Sequence, residues 1–158
     1  MRIIPGISAG LGGLAYAGIP LTHRSVNSTV TFVTGHGITG AVPETVDWAA
    51  LSCGSPVIVF YMALRRLDEI RARLMDNGRA PDEPVAVVSA ATTEGQRVVE
   101  TTLGSCVEDV AVAEVAPPAL IVLGDVVRLR AGLDWMGALA GRVLEADPLG
   151  TRADRRAG

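Results

Sequence analysis

Pro56-Val57-Ile58-Val59-Phe60-Tyr61-Met62 is a nearly continuous apolar run of strand length, the pattern of a strand covered on both faces. The period then changes. Leu64, Leu67, Ile70 and Leu74 recur at helical spacing, while Arg65, Arg66, Asp68, Glu69 and Arg73 fall mostly on the opposite face. Glu69 and Arg73 stand at i,i+4, and Asn77-Gly78 supplies the stop. A doubly buried strand running into an amphipathic helix is the unit of an α/β fold. Upstream, the β-branched stretch Val30 to Thr34 reads as a strand, a loop runs to Pro43, and Asp47 to Leu51 reads as a short helix. Downstream, Pro84 to Val88 predicts a second buried strand and Arg97 to Leu103 a more polar edge strand. Gly104 to Val115 reads as a helix, and Ala119 to Leu123, after Pro117-Pro118, as a last apolar strand. At the start, Arg2-Ile3-Ile4 reads as the end of a strand broken by Pro5-Gly6. Ser8 then caps a small-residue helix from about Ala9 to Ala17, closed by Gly18 and Pro20.

The chain has 158 residues, enough for one ordinary domain and too few for two full ones. Hydrophobic residues make up 49% and charged residues 20%, which excludes a disordered chain. Aromatics are 4%, so Val, Leu, Ile and Ala must build the core. A net charge of −3 argues against a nucleic-acid binder. Cys53 and Cys106 are too few for a disulfide scaffold and fit a reduced, cytoplasmic setting. The uncharged window Ile3 to Thr22 is long enough to span a bilayer and, with Arg2 before it and Ala15-Tyr16-Ala17 within it, imitates a signal peptide. Five glycines and two prolines there weaken any continuous helix, so the preferred reading is a buried glycine-rich turn and helix, with no membrane partner.

Four kinds of chemistry could be carried by these residue types. Gly10-Leu11-Gly12-Gly13-Leu14-Ala15 fits a loose dinucleotide pattern, but no acidic residue to hold a ribose occurs before Glu44, and glycines for tight packing are the better account. Ser8, Ser25 or Ser28 with His23 or His36 and Asp47 lack a G-x-S-x-G elbow. His23, His36 and the two cysteines match no zinc spacing, so no metal is expected. Arginines can hold anions through bidentate bonds. Arg65, Arg66, Arg71 and Arg73 read as solvated helix surface, whereas Arg24 follows an apolar segment in Thr22-His23-Arg24.

Several stretches together resemble one family. Pro5-Gly6-Ile7-Ser8-Ala9 is similar to the P-G-I-T/S-A segment of the tetrapyrrole methylases. Ala15-Tyr16-Ala17-Gly18-Ile19-Pro20-Leu21-Thr22-His23-Arg24 narrows the likeness to the uroporphyrinogen-III C-methyltransferases, and Phe32-Val33-Thr34-Gly35-His36 continues it. Phe60-Tyr61-Met62-Ala63-Leu64 resembles F-Y-M-G-L. Pro84-Val85-Ala86-Val87-Val88, Thr92-Thr93 and Gln96-Arg97-Val98-Val99 follow in order. Pro117-Pro118-Ala119-Leu120-Ile121-Val122-Leu123-Gly124-Asp125-Val126-Val127 is similar to S-P-A-L-I-I-V-G-x-V-V, with Pro117 in place of serine. The likeness covers roughly residues 3 to 136. The family's G-x-G-P-G-D and G-G-D-P loops, which lie upstream of P-G-I-T, do not occur here.

The resemblance implies an α/β fold: a tetrapyrrole methylase-like C-terminal domain (26–137) with a mixed sheet flanked by helices. It is preceded by a remnant of the N-terminal domain (1–25), holding its last strand and helix, and followed by a disordered tail (138–158), charged and small from Asp147. It implies S-adenosylmethionine-dependent methylation of uroporphyrinogen III at C2 and C7 to precorrin-2, on the way to siroheme and cobalamin. The implied enzyme is a homodimer, and this chain a truncated form impaired alone. A non-catalytic dimerisation or interaction module of the same fold is the alternative. The positions implied to meet the cofactor are Ser8, Ala9, Met62 and Ala91. Ala91 stands where relatives carry Gly or Ala, and a backbone contact tolerates Ala there only at negative φ. Ala63 in place of the family's Gly is expected to narrow the space beside the cofactor. The acceptor carries eight carboxylates, for which Arg24 and then Arg97 are the expected partners. The family's acid–base residues lie in the part not represented, so no catalytic residue is assigned.

Overall fold

The computed structural model describes residues 2–37 and 40–150, in which the alternation of apolar strands and helices becomes three layers. In chain order the elements are α1 (Ala9–Tyr16), β1 (Thr31–Thr34), α2 (Trp48–Gly54), β2 (Ile58–Tyr61), α3 (Leu67–Asp76), β3 (Pro84–Ser89), β4 (Arg97–Thr102), α4 (Cys106–Val112), β5 (Ala119–Leu123), α5 (Arg130–Leu133) and α6 (Trp135–Leu139). Short 3-10 turns at Leu64–Arg66 and Asp125–Leu129 lead into α3 and α5. The strands form one mixed sheet in the order β1-β2-β5-β3-β4. β1 runs parallel to β2, and the other pairings are antiparallel, with Phe60 opposite Ile121 and Val87 opposite Ile121.

The apolar strands are buried on both faces, and alternate side chains feed two cores. Ile58, Phe60, Val85, Val87, Ile121 and Leu123 meet α2, α3 and α4 on one side, with Trp48, Leu51, Ile70, Leu74 and Cys106. Val57, Val59, Ala86, Val88 and Val122 meet α1 and the 3-10 turn after β5 on the other, with Leu14, Ala17, Ile19, Val126 and Val127. β4 is the polar edge strand that its composition predicts, every residue of it at least partly exposed. Asp47 caps α2, its carboxylate accepting from Ala50 N at 2.9 Å.

Three expectations are corrected. Arg2–Ile4 is no strand: among the described residues nothing pairs with it, and Ile3 and Ile4 are 86% and 87% exposed. A strand needs a neighbour to satisfy its backbone, and none is in reach. The C-terminal stretch is not a free tail from 138 to 150. Glu145 N donates to Ala131 O at 2.8 Å, Arg142 pairs with Asp134 at 2.9 Å, and Leu149 packs against the second core. Residues 151–158 lie outside the described residues. Finally, Ala63 does not narrow any ligand space: it is fully buried in the first core, its Cα and Cβ against Gly35. Among the described residues no helix is long and apolar enough to cross a membrane.

Candidate functional site

β1, β2 and β3 point the same way, so their carboxyl ends and the amino end of β5 share one rim of the sheet. A cleft of about 970 Å³ opens there. Its floor and walls include Ala9, Tyr61, Met62, Ala91, Pro118 and Leu120. Crevices outside the carboxyl ends of strands are where open α/β sheets hold ligands.

The cleft is built from the α1–β2 junction. The Tyr61 hydroxyl lies 2.5 Å from Ser8 Oγ and accepts from Gly10 N at 2.8 Å. This contact fixes the first turn of α1 against the end of β2. It requires glycine at position 10, because a Cβ there would run into the Tyr61 hydroxyl and the Phe32 ring. Gly13 is constrained in the same way: a Cβ would come within 2.9 Å of Ala91 Cβ and 3.0 Å of Leu120 Cδ1. The glycines of the loose dinucleotide pattern therefore serve close packing of α1 on the sheet.

Two left-handed segments shape the rim. Met62 has φ +54° and is 57% exposed, so it leaves the strand and stands in the cleft instead of ending in the core. Ala90 and Thr92 have φ +46° and +68°, whereas Ala91 between them is outside that region, so its position does not call for glycine. Non-glycine residues held in the left-handed region cost on the order of 1 to 3 kcal/mol and persist where surroundings impose them. Here Thr92 N donates to Gln96 Oε1 at 2.8 Å, Thr93 Oγ1 donates to Ala90 O at 2.7 Å, and Ala90 N donates to Pro118 O at 3.0 Å.

The sequence-predicted cofactor positions are thus near one another: Ala9, Met62 and Ala91 line the cleft, and Ser8 is tied to its wall through Tyr61. The two predicted acceptor arginines are not among the lining residues. Arg24 is exposed in the turn closed by Val26 N to His23 O, and Arg97 is exposed at the start of the β4 edge, opposite Ser89. The arginines that do line the cleft are Arg65 and Arg66, and His36 lines it beside them. Arg65 and Arg66 are exposed, as expected of solvated surface, and they also border the cleft. Their position directly after Phe60-Tyr61-Met62 was the signal that could have found them.

The fold and its cleft define an α/β domain with a cleft of small-molecule size at the carboxyl edge of its sheet. The chain belongs to the tetrapyrrole methylase family: the family model described as Tetrapyrrole (Corrin/Porphyrin) Methylases matches residues 1–106. It is similar to a uroporphyrinogen-III C-methyltransferase of Sinorhizobium sp, 58% identical over 151 residues, covering 96% of this chain and 54% of that protein. A siroheme synthase of Chromobacterium violaceum is 44% identical over 134 residues, covering 85% of this chain and 28% of that protein. Among solved structures, the uroporphyrin-III C-methyl transferase from Thermus thermophilus complexed with S-adenyl homocysteine aligns with a TM-score of 0.68 at 34% identity, over 81% of this chain and 54% of that one. This chain therefore spans about half the length of the first of these relatives and of the Thermus chain, and less of the siroheme synthase.

Proposed function

We propose that these residues form one wall of an S-adenosylmethionine-dependent uroporphyrinogen-III C-methyltransferase, which methylates C2 and C7 of its acceptor to give precorrin-2. The observation that carries this reading is the convergence of Ala9, Met62 and Ala91 on one cleft, with Ser8 anchored beside them, in a chain 58% identical to the Sinorhizobium enzyme. The division at residues 25 and 26, a homodimeric assembly and a cytoplasmic setting belong to the same proposal.

The cleft suits the cofactor. Its volume of about 970 Å³ is at the upper end of small-molecule sites. Met62, Pro118 and Leu120 offer an apolar wall, and Ala9 and Ala91 are small enough to let a ligand approach the backbone. When bound, S-adenosylmethionine supplies a methyl group on a sulfonium that is its own leaving group, so no strong protein nucleophile is needed. The residues of this chain bind and orient. Tyr61 holds α1 in place, and Met62 presents an apolar surface to the cleft.

The test is a chimera in which this chain replaces the matching segment of the Sinorhizobium enzyme. The expected result is transfer of two methyl groups to uroporphyrinogen III, read by mass spectrometry of the oxidised product. A chimera that is folded by circular dichroism but leaves the acceptor unmethylated overturns the reading. The isolated chain contains neither G-x-G-P-G-D nor G-G-D-P. Calorimetry is expected to find its affinity for S-adenosylhomocysteine weaker than micromolar.

A further inference from the structure

We infer that Asn77-Gly78, at the end of α3, is a site of spontaneous covalent modification: the Asn77 side-chain amide converts to aspartate and isoaspartate, and the conversion loosens the cap of the helix. The inference stands independently of the function proposed above.

The chain holds two asparagines, Asn27 and Asn77, and only the second precedes a glycine. The chemistry asks for that pair. The Gly78 backbone nitrogen attacks Asn77 Cγ, so that a C–N bond forms and the Cγ–Nδ2 bond breaks. Ammonia leaves, carrying the proton that the Gly78 nitrogen gives up. Water, the only co-reactant, then opens the five-membered imide at either carbonyl. One opening gives aspartate. The other gives isoaspartate, in which the main chain runs through Cγ and is longer by a methylene. A Cβ on the following residue crowds the attack, and glycine has none. Asn77 and Gly78 are both exposed, and the space around Gly78 is open.

The structure sets how the reaction is gated. Asn77 is the C-cap of α3, and Gly78, at φ +92°, is the left-handed residue after it. Gly78 N donates to Met75 O and Arg79 N to Leu74 O, both at 3.0 Å, the paired bonds of a Schellman end. Asn77 Nδ2 donates to Arg73 O at 2.7 Å. In the closed cap both reacting nitrogens are thus held by carbonyls of α3, and attack proceeds when this exposed end frays. Asn27 is the opposite case. It is 8% exposed, its Nδ2 donates to Leu21 O and Thr29 O, and its Oδ1 accepts from His23 N, so its amide is freed only when that whole loop opens.

The product closes the cap less well. A carboxylate only accepts hydrogen bonds, so the bond to Arg73 O is lost, and its charge falls at the negative end of the helix. Isoaspartate also lengthens the main chain before Gly78, which puts both Schellman bonds out of register. The next residue, Arg79, pairs with Glu83 at 2.6 Å and donates to Ser55 O, so the disturbance reaches the join of α3 with α2 and β3.

The test incubates the full chain in mildly alkaline buffer, folded and in urea. Peptide mass spectrometry reads the gain of about 1 Da at each asparagine, and electron-transfer fragmentation separates isoaspartate from aspartate. Asn77 is expected to convert about 5- to 30-fold more slowly in the folded chain than in urea, the cost of opening two hydrogen bonds. Asn27 is expected to slow by on the order of a thousandfold or more, since it waits for unfolding. The urea midpoint of the incubated wild type is expected to fall as Asn77 converts, while that of Asn77→Gln, whose longer side chain cannot close the same ring, stays constant. Asn77 slowing by the same factor as Asn27 overturns the inference, because the cap would then open only with the fold. So does a converted chain with an unchanged midpoint, or a parallel fall in Asn77→Gln.

Discussion

The Tyr61 phenol ends β2 with its oxygen 2.5 Å from Ser8 Oγ and 2.8 Å from Gly10 N, and its ring lies 6.0 Å from that of Phe32. One hydroxyl thus ties the segment that enters α1 to the strand whose next residue, Met62, stands in the cleft. Tyr61→Phe keeps the ring and its apolar contacts and removes both hydrogen bonds. The expected cost is about 1 to 2 kcal/mol, the net worth of two neutral bonds. Urea unfolding measures it, and amide exchange at Gly10 reports whether the loss is local. An unchanged midpoint with Gly10 still protected would mean that apolar packing alone docks α1.

At the scale of elements, α5 and α6 are held by charges. Asp134 is 3% exposed, caps α6 by accepting from Gly137 N at 3.1 Å, and pairs with Arg130 at 2.7 Å and Arg142 at 2.9 Å. Arg130 and Arg142 also reach Glu100 on β4, at 2.5 and 3.4 Å. Desolvation pulls the Arg142 guanidinium down, but hydrogen bonds to Asp134 and attraction to Glu100 outweigh it and leave its pKa raised. Asp134→Ala strands two guanidiniums, one of them on the buried Arg130, and is expected to cost about 3 to 5 kcal/mol in thermal or urea unfolding. A cost below 1 kcal/mol would show that Glu100 alone satisfies both. The same network explains what was hidden in the sequence. The strands were legible because Val, Ile and Leu fill two faces, and β4 because its Arg, Glu and Thr residues announce an edge. The C-terminal stretch was not legible, because Arg142 looks like a tail charge until the fold brings Asp134 and Glu100 beside it. Arg65 and Arg66 are exposed, as their spacing predicts, but their place at the rim of the cleft was hidden for a local reason. Leu64–Arg66 is a 3-10 turn, so the face predicted from the period of α3 does not extend back to them. The left-handed backbone at Met62, which turns its side chain into the cleft, has no sequence signal, since methionine seldom adopts it.

For the molecule as a whole, a partly buried carboxyl and a fully buried thiol make stability change with pH. Glu83 pairs with Arg79 at 2.6 Å, yet burial pushes its carboxyl above the ordinary 4.5, against the pull of Arg79. The folded chain binds that proton more tightly than the unfolded one. The Glu83 contribution is therefore complete below about 4.5 and lost as pH rises through the folded value. Cys106 acts in the alkaline range. Its thiol is fully buried between α4 and the sheet and donates to Leu103 O, and burial pushes its pKa from 9.0 up to about 11. Below pH 9 the thiol is protonated in both states and the contribution is whole. Between about 9 and 11 the unfolded thiol ionises while the folded one resists, so protons favour folding and stability falls as pH rises. Over that interval the loss is on the order of 2 to 3 kcal/mol. Urea midpoints of wild type and Cys106→Ala at pH 8 and pH 11 isolate it, because other titrating groups are common to both chains. The advantage of wild type over the alanine variant should shrink by that amount at the higher pH. A constant difference between the two chains would mean that the buried thiol ionises as freely as an exposed one and that the α4 side of the core admits water.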